Sequence, residues 1–278
     1  PLEIAEGANV VINLGDKTIT GTFAKGSGAI IENNGILNIV GGTLENTAEN
    51  GDAVINNTGE LVLDGVKIKG APLADGGYSA YAVISSGKMT INEGTEVSAD
   101  RGCVKASGSG ETTINGGTFV NNDIGTINLT SHVVDVEDGG NNTLTINGGT
   151  FEHRHATTSG GVVICNRTTG TVYVNGGKFS GGNYYGNDNL SDYGYGGTFS
   201  VTGGTYSAKP AAKYIATGYK AIAAGGIYYV LPETIANAAE AEGATAVTES
   251  TTDVAAALAT NNGEATMFLW NDVAYIAK

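Results

Sequence analysis

Proline and charge are both scarce in this chain. Its 278 residues include 4 prolines, and charged residues make up 15%. So few prolines beside 44 glycines exclude a collagen-like strand and a Pro-rich linker. Basic residues are the rarer sign, 14 against 28 acids for a net charge of −14. Such a surface is repelled by phosphate backbones and anionic bilayers, which argues against nucleic-acid partners. No apolar run approaches the roughly 20 residues that span a bilayer, so no membrane insertion is expected. The sequence opens at Pro1 without a charged-then-apolar leader and reads as a mature chain or a fragment.

Apolar residues are plentiful at 41%, enough for a packed core and against global disorder. Their arrangement is periodic. An alternating apolar run, Gly-Gly, Thr or Lys, and then Phe, Leu or Tyr recurs as NIVGGTL (38–44), TINGGTF (113–119 and 145–151), YVNGGKF (173–179) and SVTGGTY (200–206). Weaker copies surround Ile12, Leu63 and Ile91. The apolar residue before each turn is Ile12, Ile39, Leu63, Ile91, Ile114, Ile146, Val174 and Val201, at separations of 27, 24, 28, 23, 32, 28 and 27 residues.

A second apolar run lies about ten residues upstream of these markers, as in Ala53-Val54-Ile55 or Val162-Val163-Ile164, and ends in a polar turn. Each unit therefore reads strand, polar turn, strand, Gly-Gly turn, short strand, variable loop. Three short strands cannot bury their own apolar face. Stacked in parallel on their neighbours, they form one continuous column. The fold class expected is all-β: a right-handed single-stranded parallel β-helix solenoid of about eight coils, with a small C-terminal α/β segment.

These phrases resemble the pectate-lyase-like β-helix repeats of bacterial surface proteins and phage fibres. The resemblance spans roughly 1–231 and is specific for fold. It implies nothing decisive about activity, because lyases, hydrolases, adhesins and fibres share the scaffold. For a polysaccharide lyase it would imply clustered acidic calcium ligands with an Arg or Lys base, and for a glycosidase two or three Asp on neighbouring coils. The arginines Arg101, Arg154 and Arg167 and the carboxylates around them assemble neither set from the sequence. No catalytic residue, metal ligand or cofactor is expected.

The division expected is a β-helix over 1–231, a linker or short helix over 232–245, and a capping or assembly segment over 246–278. Within the last, Thr252-Asp253 caps a helix through Leu258, and strands carrying Phe268 and Trp270, then Val273 and Tyr275, flank a turn at Asn271-Asp272. Three readings stay open: a fragment of a longer array, a C-terminal cap, or a segment that docks head-to-tail on the first coil of another copy.

The longest excursion, 181–197, holds Tyr184, Tyr185, Tyr193, Tyr195, Asp188 and Asp192. Tyrosine faces and Asp groups suit glycan contact, although a loop packed on the solenoid wall explains them too. His132, Asp135, Glu137 and Asp138, one coil before His153, Arg154 and His155, are expected to form a solvated polar loop rather than a metal or acid–base site. Cys103 and Cys165, two coils apart, are too distant to bridge and are read as small buried hydrophobes. The functional expectation is a non-catalytic extracellular scaffold, on a bacterial surface or alternatively a virion, whose loops meet glycans or surface proteins. Phage fibre or capsid decoration is the first alternative, and polysaccharide lyase or glycoside hydrolase the second.

Overall fold

The computed structural model describes residues 1–74, 77, 79–122, 131–137, 142–154, 161–182, 189–224, 226–234 and 236–237. For 224, 245–247, 267–270 and 273–276 it describes the backbone alone. The described chain is nearly all strand, stacked in parallel as a β-solenoid of about seven turns.

Three faces make up the wall. The first is an eight-stranded sheet of short strands: Leu2–Ile4, Ile31–Asn33, Ile55–Asn57, Val83–Ser85, Val104–Ala106, Val134–Val136, Ile164–Asn166 and Leu190–Ser191. The second runs through Glu60–Asp64, Lys88–Ile91, Glu111–Ile114, Thr143–Ile146, Thr171–Val174 and Thr198–Val201. The third runs through Lys67–Lys69, Glu96–Ala99, Thr118–Asn121, Thr150–His153, Lys178–Gly181 and Thr205–Tyr206. Near the N-terminus Asn9–Gly21 and Ile36–Asn46 cross the corner unbroken, which joins the second and third faces into one sheet.

The inward positions explain why the turns stay in register. Ile12, Ile39, Leu63, Ile91, Ile114, Ile146, Val174 and Val201 pair one above another along the second face. Every one from Ile39 onward is fully buried. A one-residue slip would turn this column to water, so burial itself holds the register. On the third face Leu44, Ile68 and Val97 give way to Phe119, Phe151, Phe179 and Tyr206, again in direct register. The four rings stack with centroids 4.7, 5.1 and 4.9 Å apart and planes within 10° of parallel. The aromatic residue ending each Gly-Gly phrase thus spans the distance between adjacent strands with offset ring contact.

The Gly-Gly corner needs glycine for two reasons. Gly117 has φ +105°, and a Cβ there would lie 2.6 Å from the Thr95 carbonyl oxygen of the turn below. Both the backbone conformation and the approach between turns exclude a side chain.

Beyond Tyr206 the stacking changes direction. The strands Tyr219–Ala224 and Ile227–Pro232 form an antiparallel hairpin that pairs with Thr205–Tyr206, while Tyr214 packs on Phe199 at 4.6 Å. This hairpin closes the third face within the stretch expected to end the solenoid. Residues 233–234 and 236–237 are helical. Met267–Trp270 and Val273–Ile276 pair antiparallel, as the strands around Asn271-Asp272 were expected to, and Thr245–Val247 adds a third strand that the sequence reading did not include. Leu258 and the helix expected around it lie outside the described residues.

Candidate functional site

The outward residue at the centre of each first-face strand should meet solvent, because neighbours in a strand point to opposite sides. Glu32, Asn56, Ile84 and Lys105 keep partial exposure there. One and two turns beyond Lys105, the same position holds Asp135 and Cys165, only 1% and 0% exposed. A cluster of side chains lies over them.

Arg167 comes from the same turn as Cys165, two residues on. Its Nε donates to Asp135 Oδ1 at 3.1 Å and its Nη2 to Asp135 Oδ2, with a further contact of 3.2 Å to Glu137. Lys105 pairs with the other oxygen of Glu137. The buried Tyr81 hydroxyl donates to Asp135 Oδ2 at 3.2 Å, and Arg101 lies over the Tyr81 ring at 5.2 Å. Burial works against the Arg167 charge, but Asp135 outweighs it and holds the guanidinium protonated beyond its ordinary range. Burial, reinforced by Asp135, pushes the Tyr81 hydroxyl and the Cys165 thiol up.

His132 completes the cluster. The Val162 N–H donates to its Nδ1 at 3.2 Å, and the ring meets Tyr193 edge-on at 5.3 Å. Burial lowers its pKa to about 4, against the attraction of Asp135. The ring is therefore neutral at neutral pH. Tyr193 reaches it from a turn in which its own φ is +48°, unusual for a residue with a side chain. That turn is fixed by Asp192, which accepts from Gly194 N–H and pairs with Lys213 at 2.7 Å. His132, Asp135 and Cys165 each place a donor atom within 4.8 Å of the other two.

These positions correct the expectation of a solvated polar loop. His132 and His153 are both buried, and His153 Nε2 donates to the Ser131 carbonyl at 2.9 Å. Arg154 is exposed and pairs with Glu152 at 2.9 Å. Asp138 and His155 lie outside the described residues. The cysteines are free and buried, as expected. They differ in kind, however. Cys103 belongs to the apolar core, whereas Cys165 faces Asp135 among polar groups. Burial and register together produce this cluster, and no short motif announces it.

The tyrosine excursion divides as well. Tyr195 is half exposed, Tyr193 covers His132, and Asp192 anchors a turn. Tyr184, Tyr185 and Asp188 lie outside the described residues.

A second feature runs along the corner between the second and third faces. The Asn that follows the apolar marker in four successive turns stacks along this corner. Asn115 donates to Asn92 at 3.1 Å, Asn147 to Asn115 at 3.0 Å and Asn175 to Asn147 at 3.0 Å, and Thr202 closes the row on Asn175. Beside it lies a trough of about 540 Å³, floored by the Gly pairs and edged by Thr118, Thr150, Thr205, Lys178 and Glu93. The signal for this row was present in the sequence, since Asn recurs in phase directly after the apolar marker.

The chain matches no protein-family model, no curated protein and no solved structure. Among the described residues no helix is long and apolar enough to cross a membrane.

Proposed function

We propose that this chain is a non-catalytic scaffold, acting outside the cell or on a virion, that binds hydroxyl-rich ligands such as glycans along one corner of its solenoid. The carrying observation is the row of exposed Asn115, Asn147 and Asn175, begun by the partly buried Asn92, beside the Gly-floored trough. Asn115, Asn147 and Asn175 each use one of their two side-chain N–H groups in the row, which leaves one donor per turn for a ligand. The glycine floor lets a ligand approach the backbone, and Tyr195, between Leu190–Ser191 of the first face and Thr198–Val201 of the second, adds an exposed aromatic surface. The group best furnished for acid–base work, His132 with Asp135 and Cys165, is buried, and its carboxylate is committed to Arg167. That arrangement favours binding over turnover.

The test is a glycan array, followed by calorimetry on any hit, with the intact chain and the double variant Asn115→Ala/Asn147→Ala. Binding by the intact chain that falls at least about tenfold in a variant of similar melting temperature supports the reading. Absence of binding, or equal binding by both proteins, overturns it. Release of reducing ends or unsaturated products would favour the enzyme reading instead.

A further inference from the structure

We propose that His132, Asp135 and Cys165 form a site for a divalent transition-metal ion of the zinc type, built into the outer side of the first face and independent of the Asn-lined corner. The donor set carries the choice of ion. An imidazole nitrogen, a carboxylate oxygen and a thiolate sulfur suit Zn²⁺ or Co²⁺, whereas Ca²⁺ and Mg²⁺ take oxygen ligands. The three donor atoms already lie within 4.8 Å of one another, and all three residues are buried.

Two further observations point to a ligand. His132 Nε2 is buried, in a residue only 1% exposed, and has no hydrogen-bond partner among the described residues. Because Nδ1 accepts from Val162, Nε2 carries the ring proton; an unpartnered buried N–H is costly, and exchange to the other tautomer would free Nε2 to bind a metal. Asp135 is also held from outside by Arg167 and by the Tyr81 hydroxyl. Outer partners of this kind orient a ligating carboxylate. Burial and Asp135 push the Cys165 thiol up in the metal-free chain, so the ion itself must displace that proton.

The chemistry balances simply. The Cys165 thiol loses its proton to solvent as sulfur binds the ion. Coordination at His132 Nε2 moves the ring proton to Nδ1 and ends the 3.2 Å contact from the Val162 N–H. Binding is therefore expected to release a proton and to weaken as pH falls.

The intact chain, reduced with a phosphine and freed of metal by a chelator, is titrated with Co²⁺. The expected result is one ion per chain, with a thiolate-to-cobalt charge-transfer band that disappears on back-titration with Zn²⁺. Cys165→Ala removes that band and Cys103→Ala keeps it, with Cys165→Ser as the substitute if the alanine variant does not fold. His132→Gln weakens the cobalt affinity at least about tenfold. In the wild-type protein the Val162 amide resonance shifts on Zn²⁺ addition. A wild-type chain that gives no charge-transfer band overturns the proposal. So does a band that persists in the folded Cys165 variant, or one that Cys103→Ala removes.

Discussion

Arg167 reaches back one turn of the solenoid and holds Asp135, a carboxylate that stands where the strand alternation would place a solvated side chain. Neither charge is tolerable there alone. A buried ion pair adds little net stability over an apolar pair, but removing one partner strands the other in a medium that cannot solvate it. Tyr81 supplies the carboxylate with one more donor, which falls short of replacing a guanidinium.

Arg167→Met should therefore destabilise the protein by about 3–5 kcal/mol in denaturant melts. The double variant Arg167→Met/Asp135→Leu should recover most of that loss, because no unpaired charge remains. A double variant as unstable as the single one would show that packing, and not charge pairing, is the main contribution of Arg167.

The buried His132 makes a distinct forecast for acid stability. Its folded pKa of about 4 lies below the ordinary imidazole value of 6.5, so the unfolded chain takes up the proton first as pH falls. Stability contributed by the neutral ring is complete above about pH 6.5, declines between there and pH 4, and changes no further below that, for a loss of about 3 kcal/mol. His132→Gln should flatten this part of the stability profile. An unaltered pH dependence in the folded variant would contradict it.

The stacked rings of the third face should act as a column. Phe151 contacts Phe119 on one side and Phe179 on the other, at 4.7 and 5.1 Å. Phe151→Ala is expected to cost about 3–5 kcal/mol, since it leaves a cavity between two turns that cannot collapse without breaking register. Phe151→Leu, which refills much of the volume, should cost clearly less in the same thermal melts.

Two glycines with positive φ separate backbone freedom from close approach. A side chain at Gly65, where φ is +62°, would meet no atom within 4 Å, whereas one at Gly117 would meet the Thr95 carbonyl at 2.6 Å. Gly65→Ala should lose about 1 kcal/mol through conformation alone. Gly117→Ala should lose substantially more, because two turns must also move apart. Equal losses would mean that the turn-to-turn spacing at the corner is not set by glycine.

The fold was legible because every unit repeats the same local instruction. Period-2 alternation sets inside against outside, and the Gly-Gly corner with its aromatic residue recurs at the spacing of one turn, so Ile12 to Val201 could be aligned into a single ladder before any contact was known. The aromatic stack and the outward Asn row follow from that alignment, since like residues at like positions meet by construction. The cluster around Asp135 had no such signal. Tyr81, His132 and the pair Cys165 and Arg167 come from three different turns, joined by segments whose lengths vary from one turn to the next. Cys165 and Asp135 occupy a position whose parity reads as solvent-facing.

Parity and period by themselves determined the solenoid, its register and its inward column, because each depends only on residues a fixed step apart along the chain. Only the tertiary structure decided that His132 and His153 are buried, that Cys165 lies against Asp135, and that Arg167 closes over both. Those outcomes depend on which side chains from separate turns cover one another, and on the cost of leaving a charge dry without a partner. No periodic property of the chain encodes either.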